Sequence, residues 1–150
     1  RAANCPGHRT GECPLMNDEN KKAAVQEELA RADEAYRAAE LLFENDLLPD
    51  AVSKLYYYLL YNLRALLLLK DFEPRSHEGV LRLFGLHFVK NGPFEAKDSH
   101  VVSKMMKLRE EADYNPSYTF TSEDYSQFKN EVSEVSEKVK KLLTEKGYPQ

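Results

Sequence analysis

Apolar residues recur along this chain at intervals of three and four, the spacing that one face of an α-helix requires. The first such stretch covers roughly residues 18 to 45, and its apolar stripe consists of Val25, Leu29, Ala32, Tyr36, Ala39 and Phe43. The second stretch, roughly residues 49 to 70, has leucine or tyrosine at most positions and leaves little polar face. We therefore predict one long amphipathic helix packed against a second, which is the central and most buried helix of the fold.

Three further helices are predicted from their start and stop signals. The third begins at Ser76, a good N-cap, and an Asn-Gly-Pro turn at residues 91 to 93 stops it. The fourth covers roughly residues 99 to 113. The fifth begins at Thr121, which forms a capping signature with a carboxylate three residues later, and Gly147 ends it.

The helix pattern predicts an all-α fold, because no segment alternates apolar and polar residues for long enough to form a strand. The connections between the predicted helices are short, and short connections join antiparallel neighbours. We expect an antiparallel up-and-down bundle of four core helices plus an additional helix. Residues 16 to 150 are expected to form this single domain, and residues 1 to 15 an N-terminal extension.

Composition narrows the classes of partner. The 150 residues carry a formal net charge of −4, which argues against a bulk electrostatic grip on nucleic acid. No DNA partner is therefore expected, although the net charge does not exclude a local basic cleft that binds RNA. No run is long and apolar enough to span a membrane, and the first residues lack the apolar core of a signal peptide. A cytoplasmic protein is expected.

The two cysteines, Cys5 and Cys13, flank His8 within the N-terminal extension. Their Cys-x2-His-x4-Cys spacing could begin a zinc site that lacks an evident fourth ligand, and a local disulfide is a second interpretation. We prefer an extension without either, so no metal is predicted. No cofactor is predicted, since the chain has no glycine-rich phosphate loop and no paired Glu-x-x-His motif. It also shows no basic-aromatic stripe of the kind that binds single strands.

Four short segments carry the candidate chemistry. They are Tyr56-Tyr57, Ser76-His77-Glu78-Gly79-Val80, Phe84-Gly85-Leu86-His87-Phe88-Val89-Lys90-Asn91-Gly92 and Arg109-Glu110-Glu111-Ala112-Asp113-Tyr114. Together they resemble the HEPN family of small prokaryotic helical proteins, over about residues 28 to 143. The resemblance is strongest to an uncharacterised branch that has Arg-x-x-Ala-Asp-Tyr where active members have Arg, four to six residues, then His.

The HEPN resemblance implies a helical bundle whose active cleft commonly forms between two protomers. Many members are metal-independent endoribonucleases, often toxins paired with a small nucleotidyltransferase. Here Tyr114 follows Arg109 after four residues, in place of the signature His, and a phenol is a poor general base at neutral pH. We therefore expect a non-catalytic or weakly active module that binds a nucleotide, a phosphate group or a nucleotidyltransferase partner. The alternative is a metal-independent endoribonuclease of a toxin–antitoxin pair.

Two histidines compete for the place beside Arg109. Arg82-x4-His87 matches the family signature literally, but His87 lies on an apolar stripe in mid-helix, so we favour a core role for it. Antiparallel pairing of the third and fourth helices instead brings His77 opposite about residue 111. His87 would then lie about 15 Å further along, at 1.5 Å per residue.

We therefore predict that His77, Arg109, Asp113 and Tyr114 converge, and these four are the catalytic candidates. An arginine can bind a phosphate through two parallel hydrogen bonds, and a histidine near an Asp can be oriented and kept partly protonated. Three interpretations stay open: binding of a phosphate ligand, acid–base cleavage of RNA, or a structural role. In the structural role, Arg109 only pairs with Asp113 and His77 only caps its helix.

A polar-aromatic edge on the second helix extends the list of candidates. Tyr57, Tyr61 and Arg64 suit a protein interface or the floor of a cleft, so they join His77 and Arg109 as ligand-binding candidates. The second helix also has more apolar surface than a small bundle can cover. A homodimer is therefore expected, and a nucleotidyltransferase partner is the alternative cover for that surface.

Overall fold

The computed structural model describes residues 17–150, and within that range it contains five α-helices and no β-strand. They are α1 (Asp18–Glu44), α2 (Leu48–Leu68), α3 (His77–Phe84), α4 (Ala96–Tyr114) and α5 (Ser122–Glu145). The predicted all-α bundle is confirmed. The N-terminal extension, with its zinc and disulfide alternatives at Cys5, His8 and Cys13, lies outside the described residues.

Side-chain caps fix the helix starts. The Ser76 Oγ accepts a hydrogen bond from the Gly79 amide at 2.9 Å, and Thr121 forms a reciprocal capping box with Asp124. The fourth helix begins at Ala96, three residues before the predicted start at 99. The reason is a second capping box, in which Glu95 and Asp98 satisfy each other's backbone amides. A capping box between two acidic residues does not show in the spacing of apolar residues, so that spacing did not predict this helix start.

The core forms around α2, as its leucine-rich sequence predicts. Leu55, Leu59, Leu63 and Leu66 are completely buried. On α1 the predicted stripe faces α2: Val25, Ala32 and Ala39 are buried, while Tyr36 and Phe43 pack at the edge. In addition, α4 and α5 both pack against α2, so one helix contributes to every layer of the bundle.

The third helix continues beyond Phe84 as a π-helical segment, Gly85–Lys90. The carbonyl of Phe88 accepts a hydrogen bond from the Phe94 amide at 2.8 Å, which folds the chain back towards α4. Gly92 permits this approach, because a Cβ there would lie only 2.7 Å from the Phe88 backbone. The fold therefore places the start of α3 beside the end of α4, with α2 beneath both.

Within residues 17–150, none of the helices combines the length and the apolar character that crossing a membrane requires.

Candidate functional site

Three helices meet at the candidate site. His77 is the first residue of α3, Arg109 lies near the end of α4, and Tyr56 and Tyr57 project from α2. The antiparallel pairing of α3 with α4 brings His77 and Arg109 into contact, with 3.4 Å between His77 Nδ1 and an Arg109 Nη. The predicted approach of His77, rather than His87, to Arg109 is therefore observed.

The guanidinium of Arg109 is held in place without being fully hydrogen-bonded. One Nη lies 3.5 Å from Asp113 Oδ2, and the Cζ lies 5.5 Å from the centre of the Tyr56 ring. Both polar contacts of Arg109, to His77 and to Asp113, are at the long end of the hydrogen-bonding range. Its side chain is only 14% exposed, and the buried Nε has no hydrogen-bond partner. Donor capacity for a ligand therefore remains at the two Nη groups, whose contacts are long, whereas the Nε is enclosed by the protein.

His77 is set up as a neutral imidazole. Because an arginine can only donate hydrogen bonds, the Nδ1 of His77 accepts from Arg109 and the Nε2 carries the proton. Burial lowers the pKa of His77 below its ordinary value, and the nearby charges of Arg109 and Arg64 lower it further. At neutral pH, His77 is therefore a hydrogen-bond acceptor towards Arg109, and it can take up a proton only after that contact opens.

Two tyrosines form the walls of the site. The Tyr56 and Tyr57 rings lie 5.4 and 6.1 Å from the His77 ring, centre to centre. Burial raises the pKa of both phenols, so both stay protonated at neutral pH. The hydroxyl of Tyr56 is buried and has no hydrogen-bond partner. A buried phenol and a buried guanidinium nitrogen, both without partners, are uncommon in one cluster, since buried polar groups are normally satisfied.

The other predicted site residues differ in their placement. Tyr114 ends α4 and is 75% exposed, so its ring stands in solvent beside the cluster rather than inside it. Tyr61 lies next to Tyr57, with 5.9 Å between ring centres. Arg64 donates a hydrogen bond to the Pro74 carbonyl at 2.8 Å, which anchors the segment before α3. A catalytic role for Tyr114 and a ligand-binding role for Tyr61 and Arg64 stay predictions.

His87 lies in the π-helical segment, in contact with the core. It is half-buried, and its ring centre is 4.4 Å from that of Phe72. Its carbonyl accepts a hydrogen bond from the Lys70 ammonium at 3.1 Å. This position agrees with the core role that the apolar stripe favoured, rather than with the literal Arg-x4-His match.

Sequence reasoning missed two features of the site. The first is the buried hydroxyl of Tyr56. The sequence places Tyr56 in a motif and on an apolar stripe, but only tertiary packing decides whether its hydroxyl has a hydrogen-bond partner. Arg31 of α1 lies with its Cζ 4.2 Å from the centre of the Tyr61 ring, a contact between helices that no spacing in the sequence reports. Among residues 17–150, no group of three or more metal-ligating side chains comes together.

Comparison with known proteins gives the family. The family model described as HEPN domain matches residues 25–142. A Methanocaldococcus jannaschii protein named "Putative toxin MJ0605" is 36% identical over 131 residues, which cover 87% of this chain and 96% of that protein. Another from that organism, "Putative toxin MJ0142", is 27% identical over 126 residues, covering 84% and 86%. A Thermotoga maritima "UPF0332 protein" is 30% identical over 128 residues, covering 85% and 96%. The chain therefore belongs to the HEPN domain family.

Proposed function

We propose that this HEPN protein binds the phosphate group of a nucleotide, either free or within RNA, at Arg109 and His77. The observation that carries the proposal is the state of the Arg109 guanidinium. Its two polar contacts are long, at 3.4 and 3.5 Å, and its Nε has no partner although the side chain is mostly buried. The buried donors of a guanidinium that serves only a structural role are normally satisfied.

The surroundings of Arg109 favour a phosphate over other ligands. The planar guanidinium matches phosphate oxygens in a two-pronged geometry, and the ring of Tyr56 limits its movement. Asp113 is 28% exposed and bound to Arg109 only through the long contact, so it can turn towards water when an anion arrives. The chain as a whole has a net charge of −4, so binding would depend on this local arrangement rather than on bulk attraction.

The test is binding of a fluorescein-labelled single-stranded RNA by anisotropy, and of AMP by calorimetry. Arg109→Ala is expected to abolish both, because it removes the guanidinium that contacts His77 and Asp113 at the proposed phosphate site. Arg37→Ala is the matched control, since Arg37 is an exposed arginine on α1. Unchanged binding by Arg109→Ala would contradict the proposed site.

A metal-independent endoribonuclease is the second candidate function. The word "toxin" in the names of the two Methanocaldococcus jannaschii relatives favours it. His77 also favours it, because a neutral imidazole can serve as a base once Arg109 turns from its Nδ1 to a phosphate. The presence of Tyr114 in place of the signature His weighs against it. Incubation with total RNA in chelator separates the two: cleavage that His77→Ala abolishes supports a nuclease, and intact RNA with retained binding supports a binding module.

We also propose two associations. Every leucine of α2 after Leu48 is buried within the chain itself, so the predicted excess of apolar surface on this helix is not found. The polar-aromatic edge of α2 alone suits a homodimer, and the chain's membership of the HEPN family makes a nucleotidyltransferase a second candidate partner. Co-purification from the native host with mass spectrometry would test the nucleotidyltransferase partner, and its absence from the eluate would count against that association.

A further inference from the structure

A shallow groove of about 200 Å³ runs between α1 and α2, next to the Arg109 site. Its floor is open because two alanines, Ala35 and Ala38, face it from α1, and Tyr57 and Tyr61 form the α2 side. Arg31, Glu34 and Lys54 line the rest of the groove. The groove therefore combines two aromatic rings with two cations and a single carboxylate.

The cations lie on the rings rather than beside them. The Arg31 Cζ is 4.2 Å from the centre of the Tyr61 ring, and the Lys54 Nζ is 5.9 Å from that of Tyr57. One side of the Arg31 guanidinium rests on Tyr61, and one Nη lies 3.5 Å from Glu28 Oε1 in an ion pair. The side chain is still 55% exposed, so part of its outer surface faces solvent. A flat guanidinium supported by an aromatic ring is a surface on which a planar base can stack.

Tyr57 joins the groove to the phosphate site. Its ring centre is 5.9 Å from that of Tyr61 on one side and 6.1 Å from that of His77 on the other. Arg109 also lies close enough to influence Tyr57 electrostatically, lowering the phenol pKa against the larger effect of burial. The Tyr61, Tyr57 and His77 rings therefore form a continuous path from the groove to the Arg109 site.

We propose that the groove is a nucleobase subsite, in which a base stacks on the Arg31–Tyr61 pair while its phosphate binds Arg109. This inference rests on the proposed phosphate-binding function and extends it from the phosphate to the base of the same ligand. Glu34 gives the groove a preference: a carboxylate repels a second phosphate but accepts hydrogen bonds from exocyclic amino groups. The groove should therefore favour adenine or cytosine over uracil.

The experiment compares AMP with ribose 5-phosphate by calorimetry, because the two ligands differ only in the base. The wild-type protein should bind AMP about tenfold more tightly, the size of effect that one stacked base produces. Arg31→Ala and Tyr61→Ala should each remove that difference without abolishing phosphate binding. Tyr61→Phe keeps the ring and should keep the difference, and Arg37→Ala is the control on the same helix. UMP should bind more weakly than AMP, and Glu34→Gln should reduce that discrimination.

A second arm identifies the source of the nucleotide. A short single-stranded adenine RNA is compared with the same strand carrying one abasic position. If the abasic strand binds more weakly at every salt concentration and strand length tested, the bound base belongs to a strand. Tight AMP binding without RNA binding indicates a free nucleotide. Either result supports the subsite.

The failures of the two proposals are distinguishable. If neither AMP nor ribose 5-phosphate binds, the phosphate site fails and the subsite falls with it. If both bind equally, the phosphate site stands and the subsite is refuted. A second copy of the chain is the other possible occupant of the groove, and sedimentation of the same variants detects it. If Tyr61→Ala converts a dimer to a monomer and leaves the AMP preference unchanged, the groove is an interface between copies and the subsite is refuted.

Discussion

Replacing Arg109 with methionine should leave the stability of the protein almost unchanged, although Arg109 is one of its more buried charged residues. Methionine is unbranched and flexible, so it can fill the space of the arginine stem. If Arg109 is retained for a ligand, the folded protein should not depend on it. If its role is structural, the substitution should cost as much as breaking any buried ion pair.

The magnitude follows from the contacts of Arg109. Its long, partly exposed ion pair with Asp113 contributes about 0.5 kcal/mol, the long hydrogen bond to His77 about 0.5 to 1.5 kcal/mol, and the contact with the Tyr56 ring about 0.5 to 1 kcal/mol. Against these stands the desolvation of an Nε–H that has no partner, which costs about 1 to 3 kcal/mol and disappears in the variant. The opposing contributions nearly cancel, so the free energy of unfolding should change by no more than about 1 kcal/mol.

Urea denaturation followed by circular dichroism measures this difference. Lys104→Met is the matched control, because Lys104 is fully engaged: it donates to Glu131 at 2.8 and 3.2 Å and lies 5.2 Å from the centre of the Phe128 ring. That variant should lose about 1 kcal/mol or more. A loss above about 2 kcal/mol for Arg109→Met would refute the reasoning and favour a structural role.

The other predictions concern the ionisation of His77, a buried ion pair and assembly. The pKa of His77 should lie below the ordinary 6.5 in an NMR titration, because His77 is buried and close to Arg109, and Arg109→Met should raise it; no change would argue against their contact. The pKa of His77 is lower in the folded than in the unfolded state, so neutral His77 contributes its full stability above pH 6.5, and this contribution is lost as the pH falls. His77→Gln should therefore flatten the plot of unfolding free energy against pH below 6.5. Lys138→Met should cost about 2 kcal/mol in urea denaturation, because it leaves the 3% exposed carboxylate of Asp98 without its ammonium partner at 3.0 Å; unchanged stability would contradict this. Sedimentation at micromolar concentration should show a homodimer, and a clean monomer would end that expectation.

The fold was predictable because local signals and long-range packing agree. The stripe on α1 and the near-continuous apolar face of α2 each require burial, and Ser76 and Thr121 provide caps at the expected starts. The start of α4 was not predictable from apolar periodicity, because a capping box between two acidic residues determines it. The π-helical end of α3 likewise depends on how the next loop folds back, which the sequence does not encode locally.

The candidate site was predictable only in part. Pairing two antiparallel helices was enough to place His77 beside Arg109, since that argument needs only residue counts along each helix. The same counting could not show that Tyr114 stands in solvent or that Arg64 binds a backbone carbonyl. Nor could it find Arg31 on Tyr61, because residues 30 positions apart meet only after α1 has packed on α2.

The most direct test of the central claim observes the Arg109 guanidinium itself during binding. In ¹H–¹⁵N NMR spectra, the Nε–Hε signal of Arg109 is identified by its loss in Arg109→Lys and followed while AMP is added. We expect this signal to shift in a saturable manner, at the affinity that calorimetry gives, because a phosphate bound at the neighbouring Nη atoms changes the surroundings of the buried Nε–H. A signal that does not move while AMP binds elsewhere would contradict it.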